Sequence, residues 1–201
     1  MNTRKLVLSA AIIAGCAALA GGASATTITF NGLAGANGSP FAAYAESGFT
    51  VTPTIGEWFQ GQAFGNPAPN IVAGGVFGGP ADDSIGVTAG GGRFTFTGLD
   101  FAPSPVGNVD YTFTGTLGGS PVFSVSGVLT PPQTFETIAS GVAGDVIDDL
   151  VVAVTLTDNT PNASVNIDNI VLNPAVPEPA AFGLLAAGLG LLGMVRLARR
   201  G

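Results

Sequence analysis

The apolar residues of this chain recur in short alternating runs that predict β-strands. The clearest is Arg93–Thr97, which follows the Gly90-Gly91-Gly92 turn and places Phe94 and Phe96 on one face. Because such runs recur along the chain, separated by turn residues, they indicate a sheet protein rather than a helical one.

A predicted hairpin follows this strand. Asp110–Thr114 repeats the alternation, Gly118-Gly119 makes a tight turn, and Val122–Val128 returns with Phe123 and Val125 facing inward. The remaining strands are predicted at 27–30, 49–52, 84–88, 133–138, 149–156 and 164–172. About nine strands without helical periodicity between the chain ends predict an all-β fold, a two-sheet antiparallel sandwich of the jelly-roll kind.

The segment from Asn31 to Val76 is the least regular part of the pattern. It holds four prolines and the only tryptophan, in the cluster Glu57-Trp58-Phe59. Loops at the end of a sandwich commonly carry binding functions, so Tyr44 and Trp58 are candidate sugar platforms. In the alternative interpretation, Trp58 and Phe59 close the open end of the core.

The C-terminal pattern differs from the rest of the chain. Pro177-Glu178-Pro179 precedes sixteen uncharged residues, 180–195. As a helix these would measure about 24 Å, somewhat less than a bilayer core of about 30 Å. Basic residues follow at Arg196, Arg199 and Arg200. The pattern predicts a transmembrane helix whose basic tail stays in the cytoplasm while everything before it lies across the membrane.

These three parts, in this order, resemble the PEP-CTERM sorting signal of Gram-negative bacteria. The resemblance implies a sorting region at 175–201, with the motif at 176–179, the helix at 180–195 and the basic tail at 196–201. It also implies recognition by exosortase, a membrane cysteine protease, after a transient stay in the inner membrane. An ordinary single-pass anchor is the alternative.

The N-terminal pattern predicts a signal peptide over residues 1–25. Two basic residues precede an apolar stretch, and Ala23-Ser24-Ala25 is a small-residue site for signal peptidase. Cleavage there would begin the mature β domain, 26–174, at Thr26. In the alternative, Ile13–Cys16 serves as a lipobox and Cys16 is acylated; otherwise the mature protein lacks cysteine.

Charge and composition exclude several functions. Between Thr26 and Val176 there are twelve acidic residues against Arg93 alone, a net charge of −11. Such a surface repels nucleic acid and attracts divalent cations. The chain has no histidine, which excludes histidine-based triads and zinc sites. We therefore predict that it is not an enzyme and assign no catalytic residue.

Carboxylates remain as candidate chemistry. Glu46 and Glu57 could serve a glycosidase if held about 5 to 9.5 Å apart, although solvated surface acids are the simpler interpretation. Calcium prefers oxygen ligands, which Asp82-Asp83, Asp148-Asp149 and Asp168-Asn169 offer near the ends of predicted strands.

Asn166–Leu172 resembles the closing strand of carbohydrate-binding-module jelly rolls. In those modules, an aspartate at the position of Asp168 joins early-strand groups around a structural calcium. The resemblance implies Asp168 as a ligand, with Asn31 and Glu46 as the nearest early partners.

The expected function is that of a structural or matrix protein, exported to the cell surface, outer envelope or extracellular matrix and associated with exopolysaccharide or biofilm. A carbohydrate-binding adhesin with structural Ca2+ is the first alternative, and a glycoside-active enzyme is the second.

Overall fold

The alternating runs form the strands of two antiparallel sheets. The computed structural model describes residues 24–74, 82–103, 105–156 and 164–174. Twelve strands lie within these ranges: β1 (Thr26–Ile28), β2 (Tyr44–Glu46), β3 (Phe49–Ile55), β4 (Trp58–Gly61), β5 (Asn70–Ala73), β6 (Asp82–Thr88), β7 (Phe94–Pro103), β8 (Val109–Leu117), β9 (Ser120–Leu129), β10 (Glu136–Ala139), β11 (Asp149–Leu156) and β12 (Val165–Pro174).

Each sheet has six strands. Sheet A has the order β10-β7-β12-β5-β4, and β1 also pairs with β12. β5 pairs along the first half of β12 and β1 along the second half, so these two short strands share one side of β12. Sheet B has the order β2-β3-β6-β11-β8-β9. The prediction of an all-β fold with two antiparallel sheets is confirmed.

The described part of this irregular segment, 31–74, is more regular than its sequence indicates. Three short strands, β2, β4 and β5, lie within it, so the interpretation of Trp58 as a loop residue is wrong. Strands of three or four residues are too short to display alternation. Their pairing with longer strands therefore decides their conformation.

Phenylalanines join the two sheets. Phe96 of β7 meets Phe113 of β8 edge to face, with ring centroids 5.0 Å apart, and Phe94 meets Phe49 of β3 at 5.3 Å. All four rings are buried. The inward orientation predicted for Phe94 and Phe96 is confirmed, and edge-to-face pairs of this kind contribute about 0.5–1.5 kcal/mol each beyond area burial.

The β8–β9 hairpin follows its prediction closely. Gly118 and Gly119 have φ angles of 58° and 77°. A two-residue hairpin turn with positive φ at both positions favours glycine, which adopts such angles without steric cost. Phe123 is buried and Val125 packs against the core, as predicted.

Two features of the termini complete the description. Within the described residues, no helix is long and apolar enough to cross a membrane. Residues 1–23 of the predicted signal peptide and the predicted transmembrane helix, 180–195, lie outside those residues.

Candidate functional site

Two aspartates face each other across the middle of sheet A. Asp168 on β12 is the register partner of Asp100 on β7, immediately before an irregularity in the pairing that ends at Val171. Asn169 takes a φ of 46° there, a left-handed conformation that asparagine tolerates better than most residues. Asp168 is 0% exposed and Asp100 is 7% exposed.

Backbone N–H groups hold the Asp168 carboxylate. Asn66 N–H donates to Oδ2 at 2.7 Å, and Asn169 N–H donates to Oδ1 at 2.8 Å. Burial raises the pKa of Asp168 to about 6; these two hydrogen bonds lower it, while the charges of Asp100 and Glu46 raise it. Asp168 is therefore a buried carboxyl that titrates near neutral pH.

Side chains hold Asp100 in the same way. Thr137 of β10 donates its hydroxyl to Oδ1 at 2.6 Å, while the amides of Asn66 and Asn169 donate to Oδ2 at 3.0 and 2.9 Å. We call Asp100, Asp168, Asn66, Asn169 and Thr137 the carboxylate network. It ties the loop after β4 to three strands of sheet A.

An aromatic pair joins two of the segments that supply this network. Phe64, two residues before Asn66, stacks on Phe135, two residues before Thr137, with ring centroids 4.9 Å apart. Phe64 is 36% exposed. The Phe64 ring is therefore partly accessible to solvent while it stacks on Phe135.

The predicted calcium ligands occupy different settings. Glu46 accepts hydrogen bonds from Thr29 N–H and Oγ1, both at 2.9 Å, and from Phe30 N–H at 3.1 Å. Asn31 is exposed in the turn after β1. N–H or O–H groups already engage every carboxylate oxygen of Glu46 and Asp168, so a cation would have to share these oxygens with their present donors.

Among the residues the structure describes, no group of three Asp, Glu, His or Cys residues could hold a metal. Calcium binding at Asp168 thus stays a prediction. A cation bound only by the folded chain would raise the melting temperature by mass action. A thermal melt with and without a chelator tests it, and an unchanged midpoint would remove Asp168 as a ligand.

The two candidate sugar platforms differ in exposure. Trp58 is 2% exposed and donates its indole N–H to the Ile55 carbonyl at 3.2 Å. The geometry therefore favours the alternative in which Trp58 closes the core. Tyr44 is half-buried, packs against Phe30 with ring centroids 5.4 Å apart, and accepts a hydrogen bond from Gly32 N–H at 3.0 Å.

A second buried carboxylate, Asp83 on β6, lies on the inward face of sheet B and is 3% exposed. Its Oδ1 accepts a hydrogen bond from Glu57 N–H at 3.1 Å, whereas its Oδ2 is buried without a partner. Burial raises the pKa of Asp83, the Glu57 N–H lowers it, and the charges of Asp82 and Glu57 raise it. Glu46 and Glu57 thus each lie near a different buried aspartate.

The remaining predicted site residues are terminal. Ala25 is exposed directly before β1, while Ala23, Pro177, Glu178, Pro179, Arg196, Arg199 and Arg200 lie outside the described residues. Residues 175–200 match the family model of the PEP-CTERM protein-sorting motif. The chain carries a PEP-CTERM sorting motif.

This PEP-CTERM match confirms the resemblance of the tail. It implies processing by exosortase and indicates export to a surface or extracellular location. The match covers the predicted motif and the three arginines. No curated protein matches the chain.

Several solved structures are similar to the β body of this PEP-CTERM chain. The family 32 carbohydrate-binding module of Clostridium perfringens NanJ, solved with galactose, has 16% identity and a TM-score of 0.41 over 63% of this chain and 97% of its own. A family 29 module from Piromyces equi has 11% identity and a TM-score of 0.44 over 76% and 91%. The K1 adhesin domain of Porphyromonas gingivalis Lys-gingipain has 13% identity and a TM-score of 0.42 over 76% and 99%. At these scores, ligand and function must be argued from the chain's own residues.

Sequence reasoning on this PEP-CTERM chain found Asp168 but missed its partner Asp100. The available signal was an acidic residue between two large apolar residues, Leu99-Asp100-Phe101, as Asp168 follows the apolar Ile167. A charge in such a position requires partners. The sequence did not reveal that Asn66, distant along the chain, donates hydrogen bonds to both aspartates.

Proposed function

We propose that this protein is a surface-sorted structural component that associates with extracellular polysaccharide and acts by binding rather than by catalysis. The observation that carries the proposal is the PEP-CTERM motif at 175–200, which follows an all-β body. The absence of histidine and the single cysteine in the sequence support a non-catalytic role. The net charge of −11 between Thr26 and Val176 supports a role outside nucleic-acid binding.

The sorting step is tested in the native host by mass spectrometry of the protein recovered from surface material. We expect the C-terminal tail to be absent from that protein. Replacing Pro177, Glu178 and Pro179 together by alanine should leave the chain in the membrane fraction with Gly201 intact. Pro174→Ala is the matched control, because it removes a proline just outside the motif. Surface material that retains Gly201 would contradict the proposal.

A carbohydrate-binding role is the second candidate. The exposed ring of Phe64, stacked on Phe135, favours it, because aromatic rings present large apolar faces at low conformational cost. This pair replaces Trp58 as the platform that the geometry supports, since Trp58 is buried.

Retention of the full chain on isolated exopolysaccharide tests this role. We expect Phe64→Ala to reduce retention several-fold. Ile55→Ala should leave retention unchanged, because Ile55 is a large exposed side chain, 58% exposed, on β3. Circular dichroism spectra of both variants should match that of the parent chain. Equal retention of Phe64→Ala and the parent would end the aromatic-platform hypothesis.

A further inference from the structure

The long strand at one edge of sheet B pairs with no described strand on its outer side. β9 is ten residues long and pairs with β8 alone among the described strands. In an antiparallel sheet, alternate residues of an edge strand direct their N–H and C=O groups away from the sheet. β9 therefore presents a row of backbone donors and acceptors.

The other sheet edges are short or covered. β2 has three residues and β10 has four. The outer side of β4 is covered by residues 38–41, through hydrogen bonds between Gly38 N–H and the Gln60 carbonyl and between Phe41 N–H and the Trp58 carbonyl, at 2.8 and 2.7 Å. Among the described strands, β9 is thus the long edge available for pairing.

β9 also lacks the features that usually protect an edge. Residues 111–135 contain no Asp, Glu, Lys or Arg. Pro121 and the irregularity at Gly115/Thr116 disturb only the hairpin end, and Phe123–Leu129 pair with Val109–Gly115 in unbroken register. Edge strands normally carry charges, prolines or bulges that block pairing with another chain.

Glycines and aromatic rings fix this strand in its register. A Cβ on Gly115 would lie 2.4 Å from the Phe123 ring, and one on Gly127 would lie 2.3 Å from the Tyr111 hydroxyl. Each aromatic side chain therefore covers a glycine on the paired strand. The inner face is filled, and the outer face presents Val122, Ser124, Ser126 and Val128.

The sequence of this edge is complementary to itself. Read outward from Val125, serines stand at 124 and 126 and valines at 122 and 128. In an antiparallel pair of two copies centred on Val125, Val122 of one copy lies opposite Val128 of the other, and Ser124 lies opposite Ser126. Phe123 likewise lies opposite Gly127, repeating the aromatic-on-glycine pairing seen within the hairpin.

Charge also favours a second copy as the occupant. Two bodies with a net charge of −11 repel each other, so they approach most easily through a region without charge. Val122 and Val128 are 41% and 57% exposed, and pairing would cover both. We infer that β9 joins two copies of this protein edge to edge, making the two sheets B one continuous antiparallel sheet with two-fold symmetry. This inference does not depend on where the protein is sorted.

Cysteine cross-linking tests the pairing and its register. Val122→Cys and Val128→Cys are made separately in the full chain, with Cys16→Ser to remove the natural thiol, and kept in mild detergent. Under mild oxidation, an equal mixture should give a disulfide-linked dimer, whereas either variant alone should remain monomeric on non-reducing gels, because like positions are six residues out of register. Equal cross-linking in all three samples, or none in the mixture, would overturn the inference.

Sedimentation of the full chain in the same detergent provides a second measurement. We expect Ser124→Lys with Ser126→Lys to raise the dimer dissociation constant at least tenfold, because each lysine meets another across the pair. Thr114→Lys, which adds a charge opposite Ser124 on β8, should change it little. Circular dichroism confirms that each variant is folded. A parent chain that is monomeric at every concentration, or equal effects of the edge and control lysines, would contradict the pairing.

Discussion

Asp168 and Asp83 are both almost fully buried carboxylates, yet their surroundings are opposite. Both oxygens of Asp168 accept backbone N–H groups, and Asp100 beside it is held by three further donors. Asp83 has one N–H donor and one oxygen without a partner. Burial raises both pKa values. The comparison shows that hydrogen-bond donors, rather than burial alone, decide whether a buried carboxylate connects the segments around it.

The largest effect should follow removal of Asp168. Asp168→Ala leaves two backbone N–H groups without an acceptor, so we expect the free energy of unfolding to fall by about 2–4 kcal/mol. The free energy of unfolding is measured in urea at pH 5, below the raised pKa of Asp168. Most of the Asp168 carboxyl is then protonated in the parent chain, so the cost of burying its charge contributes little to the comparison. Asp145→Ala is the control, because Asp145 is exposed. Equal stability of the two variants would show that the carboxylate network does not support sheet A.

The pH dependence should be nearly as large. The folded state raises the pKa of Asp168 from 3.8 to about 6, so it binds that proton more tightly than the unfolded state does. The free energy of unfolding should therefore be highest below pH 4 for this group and fall by about 3 kcal/mol as the pH rises through 6. Urea melts in chelator should show this slope, and Asp168→Asn should flatten it. An equal slope in both chains would assign the dependence to other carboxyls.

Gly56 provides a steric test of how tightly the surroundings of Asp83 are packed. It has a φ of 77°, and a Cβ there would lie 1.5 Å from Asp83 Oδ1. Gly48 has a φ of 87° with open space around it. We expect Gly48→Ala to cost about 1–2 kcal/mol of left-handed strain, and Gly56→Ala to cost about 1 kcal/mol more because of overpacking. Chemical denaturation measures the loss of stability in each variant. Equal losses would mean that the Asp83 side chain moves aside from the new Cβ without cost.

The smallest effect should come from Asp83 itself. Asp83→Asn keeps an acceptor for Glu57 N–H but removes a buried charge, so we expect a gain of about 1 kcal/mol at pH 7.5. At pH 2.5 the gain should vanish, because that pH lies below the pKa of the Asp83 carboxyl both in the unfolded chain and in the folded state, where burial raises it. Thermal melts at the two pH values measure the difference. A loss of stability at pH 7.5 would show that the ionised form of Asp83 has a partner.

The sequence predicts the parts of this fold that depend on local pattern. Phe94 and Phe96 alternate with polar residues, and Gly118-Gly119 permits one tight turn, so the long strands and their hairpin follow directly. β4 and β5 are too short for such a signal and depend on pairing with each other and with β12.

The candidate site is less predictable for the same reason. The sorting motif is contiguous and could be recognised from a few neighbouring residues. Asp168 stands out as the one charged residue in the sequence of β12, but Asn66 reaches it from 102 positions away along the chain. The position of Trp58 in the least regular segment of the sequence predicts a surface platform, whereas its 2% exposure results from pairing with residues distant along the chain.

β12 is hydrogen-bonded to β7 on one side and to β5 and β1 on the other, yet it is the last of the described strands along the chain. A polypeptide translocated from its amino end would release this strand after all the others. Until then sheet A would lack the strand that joins β7 to β5 and β1. The completion of sheet A would therefore follow the release of the final ten residues of the β body.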